Sequence, residues 1–346
     1  MEKRKDINKR LLQIKMGWKR IVCLFCIMAL LPLSACGGKN TGENGKADRK
    51  DTEEKIKIVT SFYPLYIMML NLADDISGVE IDNMAEPQTG CLHDYQLRPR
   101  DLVCLEDADI FLANGGGMEE FLSDVLEAYP ELNIIYAIDG LSEEELLEGH
   151  EHDHEGHAHE EETDLHEEEA IHGEEDHEVN PHTWMNMELY KKEVSYVAQT
   201  LSQVDPTNQD AYEKNKKIYI EKIDALIEEY AALKQKEKKP GCVLLHESFV
   251  YLAAEYDYPV LETLDVEKDS GFSAKEIREL IDEVWDAGKG VILSDSQYSG
   301  NISTLLAQET GMERYQLDSG VSGEYDKDAY LTSMRKNLEE LKRAAD

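Results

Sequence analysis

Histidine is distributed more unevenly in this chain than any other side chain able to hold a transition metal at neutral pH. The sequence contains 11 histidines. Eight of them (His150, His152, His154, His157, His159, His166, His172 and His177) crowd into one acidic tract that runs on to Asn180-Pro181-His182-Thr183-Trp184. The remaining three, His93, His182 and His246, are scattered over an ordinary globular pattern. Imidazole titrates near neutrality and is the commonest metal side-chain ligand, so this usage points to metal chemistry.

The tract has its own character. Residues 143–178 hold 18 Asp/Glu, no Lys or Arg, and eight His. So charged and apolar-poor a segment cannot bury a core, and it is expected to be disordered without metal. It reads as a set of weaker, exchangeable zinc sites that collect ions near a main site or sense zinc level. The alternative is a solvated insert that binds metal incidentally.

The chain carries a formal charge of −37 over 346 residues. Its first 35 residues hold eight Lys/Arg against two acidic residues, so the rest is more negative still, near −43. Such a surface repels phosphate backbones and excludes nucleic-acid binding as a function class. The basic start, the apolar run IVCLFCIMALLPL and Leu33-Ser34-Ala35-Cys36 read as a signal peptide, too short to span a bilayer. Leu-Ser-Ala-Cys resembles the bacterial lipobox, which implies cleavage before Cys36 and lipid on its sulfur. A flexible, Gly- and Asn-rich tether then fills residues 36–55. Of the other cysteines, Cys104 and Cys242 sit in apolar runs and read as buried thiols. Cys91 lies two residues before His93, where packing competes with a role as a soft ligand.

The elements that must position the histidines follow a repeated pattern. IKIVTS (56–61), VEIDNMA (79–85), DIFLANG (109–115) and NIIYAID (133–139) read as strands alternating with helices. CVLLHE (242–247), PVLETLD (259–265), GVILSDS (290–296) and YQLDS (315–319) repeat the pattern. Between them, a helix over 186–203 is broken at Asp205-Pro206. A second helical stripe over 207–237 spans roughly 30 residues, or about 45 Å. The expected fold is α/β: two lobes, each a four-stranded parallel sheet flanked by helices, linked by one long helix. The lobes are expected at 56–206, including the His-rich loop at about 143–179, and at 238–346.

Open α/β sheets bind ligands beyond the carboxyl ends of their strands. His246 and Asp318 each follow a strand of the second half, and His93 and His182 follow the second and fourth strands of the first. If the halves face each other, three imidazoles and one carboxylate converge in the cleft. That donor set suits Zn²⁺ at about 2.0–2.2 Å.

At these residues the chain resembles the zinc/manganese solute-binding lipoproteins of ABC importers. The resemblance rests on the lipobox, SFYPLY (61–66), HDYQLRPRD (93–101), NPHTWMN (180–186), HESFVYLAAEY (246–256) and LDS…AYLTSMRKNL (317–338). It implies metal coordination by His93, His182, His246 and Asp318. It also implies delivery to an ABC permease with its ATPase, and a monomer anchored by Cys36 to the outer face of the bacterial membrane. Manganese-specific relatives commonly carry Glu where His246 stands, so zinc is the expected cargo, with Mn²⁺ or a surface-adhesin role as the alternatives. Two positions depart from the family: Asn180 replaces its usual Asp, and Cys91-Leu92 replaces Asp-Pro. An enzymatic reading fails at HESFV, because Val250 occupies the place where a zincin helix needs its second His.

Overall fold

Aliphatic and β-branched runs form eight strands among the described residues, and all their pairings are parallel. The computed structural model describes residues 55–86, 92, 95–149, 179–264, 266, 272–297 and 300–346. The leader, Cys36, Cys91, His93 and the eight histidines of the acidic tract lie outside them. In the first half, β1 (Ile56–Thr60), β2 (Val79–Asn83), β3 (Ile110–Ala113) and β4 (Asn133–Tyr136) assemble in the order β2-β1-β3-β4. In the second, β5 (Cys242–Leu244), β6 (Val260–Thr263), β7 (Val291–Asp295) and β8 (Glu313–Leu317) repeat that order as β6-β5-β7-β8. The two four-stranded parallel sheets are those the sequence pattern predicts. Every residue of β3 and β7 is buried, as strands covered on both faces require. In each sheet the order reverses beside the first strand, which opens a crevice at the carboxyl edge.

Helices α1 (Tyr63–Leu72), α2 (Pro99–Leu105) and α3 (Leu122–Ala128) serve the first sheet. Then come α4 (Met187–Val204), α5 (Gln209–Glu229) and the single turn α6 (Ala231–Lys234). The second half adds α7 (Val250–Glu255), α8 (Ala274–Ala287), α9 (Asn301–Thr310) and α10 (Ala329–Ala344). Side-chain alternation along the second sheet divides its residues between two cores. Val243 and Ile292 enter a small core with Val284 of α8 and Ile302 and Leu306 of α9. Leu244, Leu293 and Leu317 face the other way, into a core shared with Ile58 and Phe111 of the first half. One continuous apolar interior therefore joins the two sheets.

The stretch read as one helix over 207–237 is shorter and broken. Pro206 opens a 3-10 turn (Pro206–Asn208), and α5 then runs for 21 residues, about 32 Å. Tyr230 (φ −108°, ψ 10°) ends it before α6. At the break the Tyr230 side chain is buried in the core. An aromatic seam holds this connector in place. Tyr190 of α4 lies 3.2 Å from the Tyr219 hydroxyl of α5 and stacks on Tyr330 of α10 with 4.0 Å between ring centroids.

Residues 180–187 follow the first half in sequence but are bonded mainly to the second. The Asn180 amide donates to Glu247 O (3.1 Å), Trp184 Nε1–H to Ser319 O (2.9 Å), and Met187 N–H to Glu255 Oε2 (2.9 Å). In return, the Tyr251 hydroxyl donates to Asn180 O (2.9 Å) and the Tyr330 hydroxyl to Trp184 O (2.8 Å). From the first half, Asn114, just past β3, donates to Pro181 O at 2.9 Å, and the Phe62 ring packs edge-on against Trp184 with centroids 5.3 Å apart. His182 thus follows the first half in sequence, while the residues around it are hydrogen-bonded to the second.

Two buried carboxylates sit beneath that segment. Glu193 accepts from the Thr183 hydroxyl and Glu255 from Met187 N–H. Burial pushes each carboxyl up to about 7, against an opposing pull from its hydrogen-bond donor. The unfolded chain releases these protons near 4.5, whereas the folded chain holds them to about 7. Their contribution to stability is therefore complete below about 4.5 and is lost as pH rises to about 7. Glu193→Gln should gain stability relative to wild type as pH is raised from 5 to 8, read from urea-denaturation midpoints. A difference between the two proteins that stays constant across that range would contradict the buried-carboxyl account.

Candidate metal centre

β5 delivers His246 to the crevice. The residue is extended (φ −161°, ψ 141°) and caps the 3-10 turn Glu247–Phe249, its Nδ1 accepting Ser248 N–H at 2.9 Å. His182 precedes a second such turn, Thr183–Met185. The two rings stand perpendicular, with centroids 5.2 Å apart, and both are buried. The Trp184 ring flanks His182 at 5.2 Å. Its bond to Ser319 O places the segment directly against the end of β8.

The surroundings of the two imidazoles differ. His182 Nδ1 lies 3.0 Å from Asn180 Oδ1 and 3.5 Å from Glu247 Oε1. His246 Nδ1, by contrast, faces a backbone N–H, which can only donate. A neutral His246 ring in this conformation therefore carries its proton on Nε2. To offer Nε2 to a cation, the ring must shift that proton to Nδ1 and release Ser248.

Asp318 follows β8, and Asn337 of α10 holds its backbone at both ends. Asp318 N–H donates to Asn337 Oδ1 (2.7 Å), and the Asn337 amide donates to Asp318 O (2.8 Å). The Asp318 carboxylate accepts Gly320 N–H on Oδ1 at 2.9 Å. With Tyr63 of α1, Asp318 lines a cavity of about 290 Å³. Burial, with Asp318 as the next contributor, pushes the Tyr63 phenol up to about 12. Among the described residues no three His, Cys, Asp or Glu side chains are grouped closely enough to hold one ion. The structure brings His182 and His246 together, and the Asp318 carboxylate is turned to Gly320.

Sequence reasoning overlooked Asp295, although the strand-end argument that selects His246 and Asp318 applies to it equally. Leu293 is in register with Leu244, and Asp295 with Leu317, so Asp295 ends the strand between those that lead to His246 and Asp318. Its carboxylate is 5% exposed and accepts Gln297 N–H on Oδ1 at 2.9 Å. Burial raises its pKa. The Ser319 hydroxyl, Gln297 N–H and His246 oppose the rise, and Asp318 adds to it. Glu119 is a second missed group. Buried behind the Asn114-Gly115 turn, it accepts from the Ser61 hydroxyl (2.7 Å) and from Asn114 and Gly115 N–H (2.7 and 3.0 Å). Gly116 (φ +66°) in this turn lies against Ile138 and Pro181. A Cβ there would come within 2.8 Å of Ile138.

The two facing imidazoles, with the Glu247 carboxylate 3.5 Å from His182 Nδ1, supply nitrogen and oxygen donors. That mixture suits a borderline divalent cation better than a purely oxygen-seeking ion. Among the described residues the free thiols are Cys104 and Cys242, and burial pushes both up to about 12.

Relatives carry the same reading. The high-affinity zinc uptake system protein ZnuA of Bacillus subtilis (strain 168) is 30% identical over 326 residues, covering 92% of this chain and 96% of that protein. The zinc-binding lipoprotein AdcA of Streptococcus pneumoniae serotype 4 is 28% identical over 336 residues, and this chain spans 61% of its length. In fold, the chain is similar to the solute-binding protein FpvC of Pseudomonas aeruginosa, solved with Mn²⁺. The TM-score is 0.70 at 22% identity, over 84% of this chain and 98% of that one. Residues 58–344 match the family described as zinc-uptake complex component A, periplasmic, and the chain belongs to that family.

Proposed function

We propose that Zn²⁺ is captured in the crevice by His93, His182, His246 and Asp318 and passed from there to the permease. The family assignment makes this chain the extracytoplasmic zinc-binding component of an ABC importer, working with a permease and an ATPase, and not an enzyme. The observation that carries the ligand set is the pairing of the His182 and His246 rings at 5.2 Å, from segments far apart in sequence. In this reading His93 closes the site from the first half. Asp318 exchanges its Gly320 contact for the ion, and His246 gives up Ser248. Lipid on Cys36 holds the protein, as a monomer, at the outer face of the membrane.

The acidic tract acts in this reading as a collector beside the crevice. Its flanking residues support the role. Glu148 and Val179 pair as an antiparallel bridge, and Asn180 N–H donates to Leu147 O at 2.9 Å. The tract is thus tied at both ends within a few residues of His182.

Competition titration with a chelating dye tests the ligand set. His182→Ala and His246→Ala should each weaken zinc binding by more than the roughly 10–100-fold typical of losing a supporting residue. Wild-type affinity should itself fall as pH drops below about 6.5, because each imidazole must be neutral to bind. Unchanged affinity in both alanine variants would rule out the assignment. Deletion of residues 143–178 should remove the weaker zinc equivalents and leave the tight site intact. If zinc stoichiometry and uptake from zinc-poor medium are both unchanged, the collector role is wrong.

A further inference from the structure

We infer that Asn180 is the positioning residue of the centre: it holds the His182 proton on Nδ1, so that Nε2 is the nitrogen presented to the cation. The inference rests on the reading of His182 as a zinc ligand. Its basis is the set of hydrogen bonds that fixes the completely buried Asn180 side chain.

The orientation of the Asn180 amide is not free. Its Nδ2 can only donate, and it lies 3.1 Å from the Glu247 carbonyl oxygen, which can only accept. Its Oδ1 lies 3.0 Å from the main-chain N–H of His182, which can only donate. Both constraints put the oxygen toward the imidazole, 3.0 Å from His182 Nδ1. An amide oxygen only accepts, so Nδ1 must carry the proton and Nε2 the lone pair. Glu247 Oε1, 3.5 Å from the same nitrogen, adds a second acceptor on that side.

The support is itself held in place. Asn180 O accepts from the Tyr251 hydroxyl at 2.9 Å, and Asn180 N–H donates to Leu147 O at 2.9 Å. All the polar groups of Asn180 are therefore engaged, three of them by residues outside its own turn. An aspartate here would keep the acceptor, with a stronger charge-assisted bond. It would lose the donation to Glu247 O and set a second carboxylate beside that of Glu247. Asn180 supplies acceptor and donor without charge, and the departure from the family's usual residue becomes a working part of the site.

The pair of imidazoles is then asymmetric. His182 is preset for a cation by Asn180, whereas His246 is held by Ser248 in the opposite tautomer and changes on binding.

Long-range ¹H–¹⁵N correlation on the zinc-free, ¹⁵N-labelled chain reads each tautomer directly. Wild type should show His182 protonated at Nδ1. In Asn180→Ala that preference should be lost and zinc affinity should fall roughly 10–100-fold. Asn180→Asp should keep the Nδ1 proton and bind zinc more tightly than Asn180→Ala. A wild-type His182 protonated at Nε2 would overturn the inference without need of any variant. So would an Asn180→Ala protein with unchanged tautomer and affinity. Full affinity in His182→Ala would instead overturn the ligand assignment beneath it, whatever the tautomer.

Discussion

The structure depends on the hydrogen bonds that seat residues 180–187 against the second half. Trp184 to Ser319, Tyr330 to Trp184, Asn180 to Glu247 and Tyr251 to Asn180 each join buried groups. Breaking any one would leave a buried donor or acceptor without a partner, at about 1–3 kcal/mol. This network holds the His182 ring with its centroid 5.2 Å from that of His246. From the first half, Asn114 donates to Pro181 O and the Tyr63 hydroxyl to Glu324 O.

The same logic explains the unusual number of buried carboxylates near the crevice. Glu119 braces the turn after β3, Glu193 and Glu255 brace the His182 segment, and Asp295 ends the central strand between His246 and Asp318. Each is costly to bury and each is held by hydroxyl or backbone donors. The exposed surface carries most of the negative charge, and the crevice gathers a smaller acidic set around two imidazoles.

Much of the fold was legible because parallel, doubly covered strands are written as short aliphatic runs, such as IFLA and VILSD. Strand ends then located His246 and Asp318. The end of α5 was not legible, because the apolar stripe continues through Leu233. The helix stops where the Tyr230 side chain is buried in the core. The seating of His182 was hidden for a similar reason: it depends on contacts such as Trp184 to Ser319, between residues 135 apart, which no local pattern encodes. Asp295 also ends a strand, but no histidine lies near it in sequence to mark it, since His246 is the last in the chain. The tautomers of His182 and His246 depend on the placement of Asn180 and Ser248, which only the folded chain reveals.

The central claim is that imidazoles and an aspartate from both halves share one imported ion. Anomalous diffraction at the zinc edge, on zinc-loaded crystals of residues 37–346, tests it most directly. A strong peak in the crevice about 2.0–2.2 Å from nitrogens of His93, His182 and His246 and an oxygen of Asp318 is the predicted result. Zinc found only on the acidic tract, with none between His182 and His246, would contradict it.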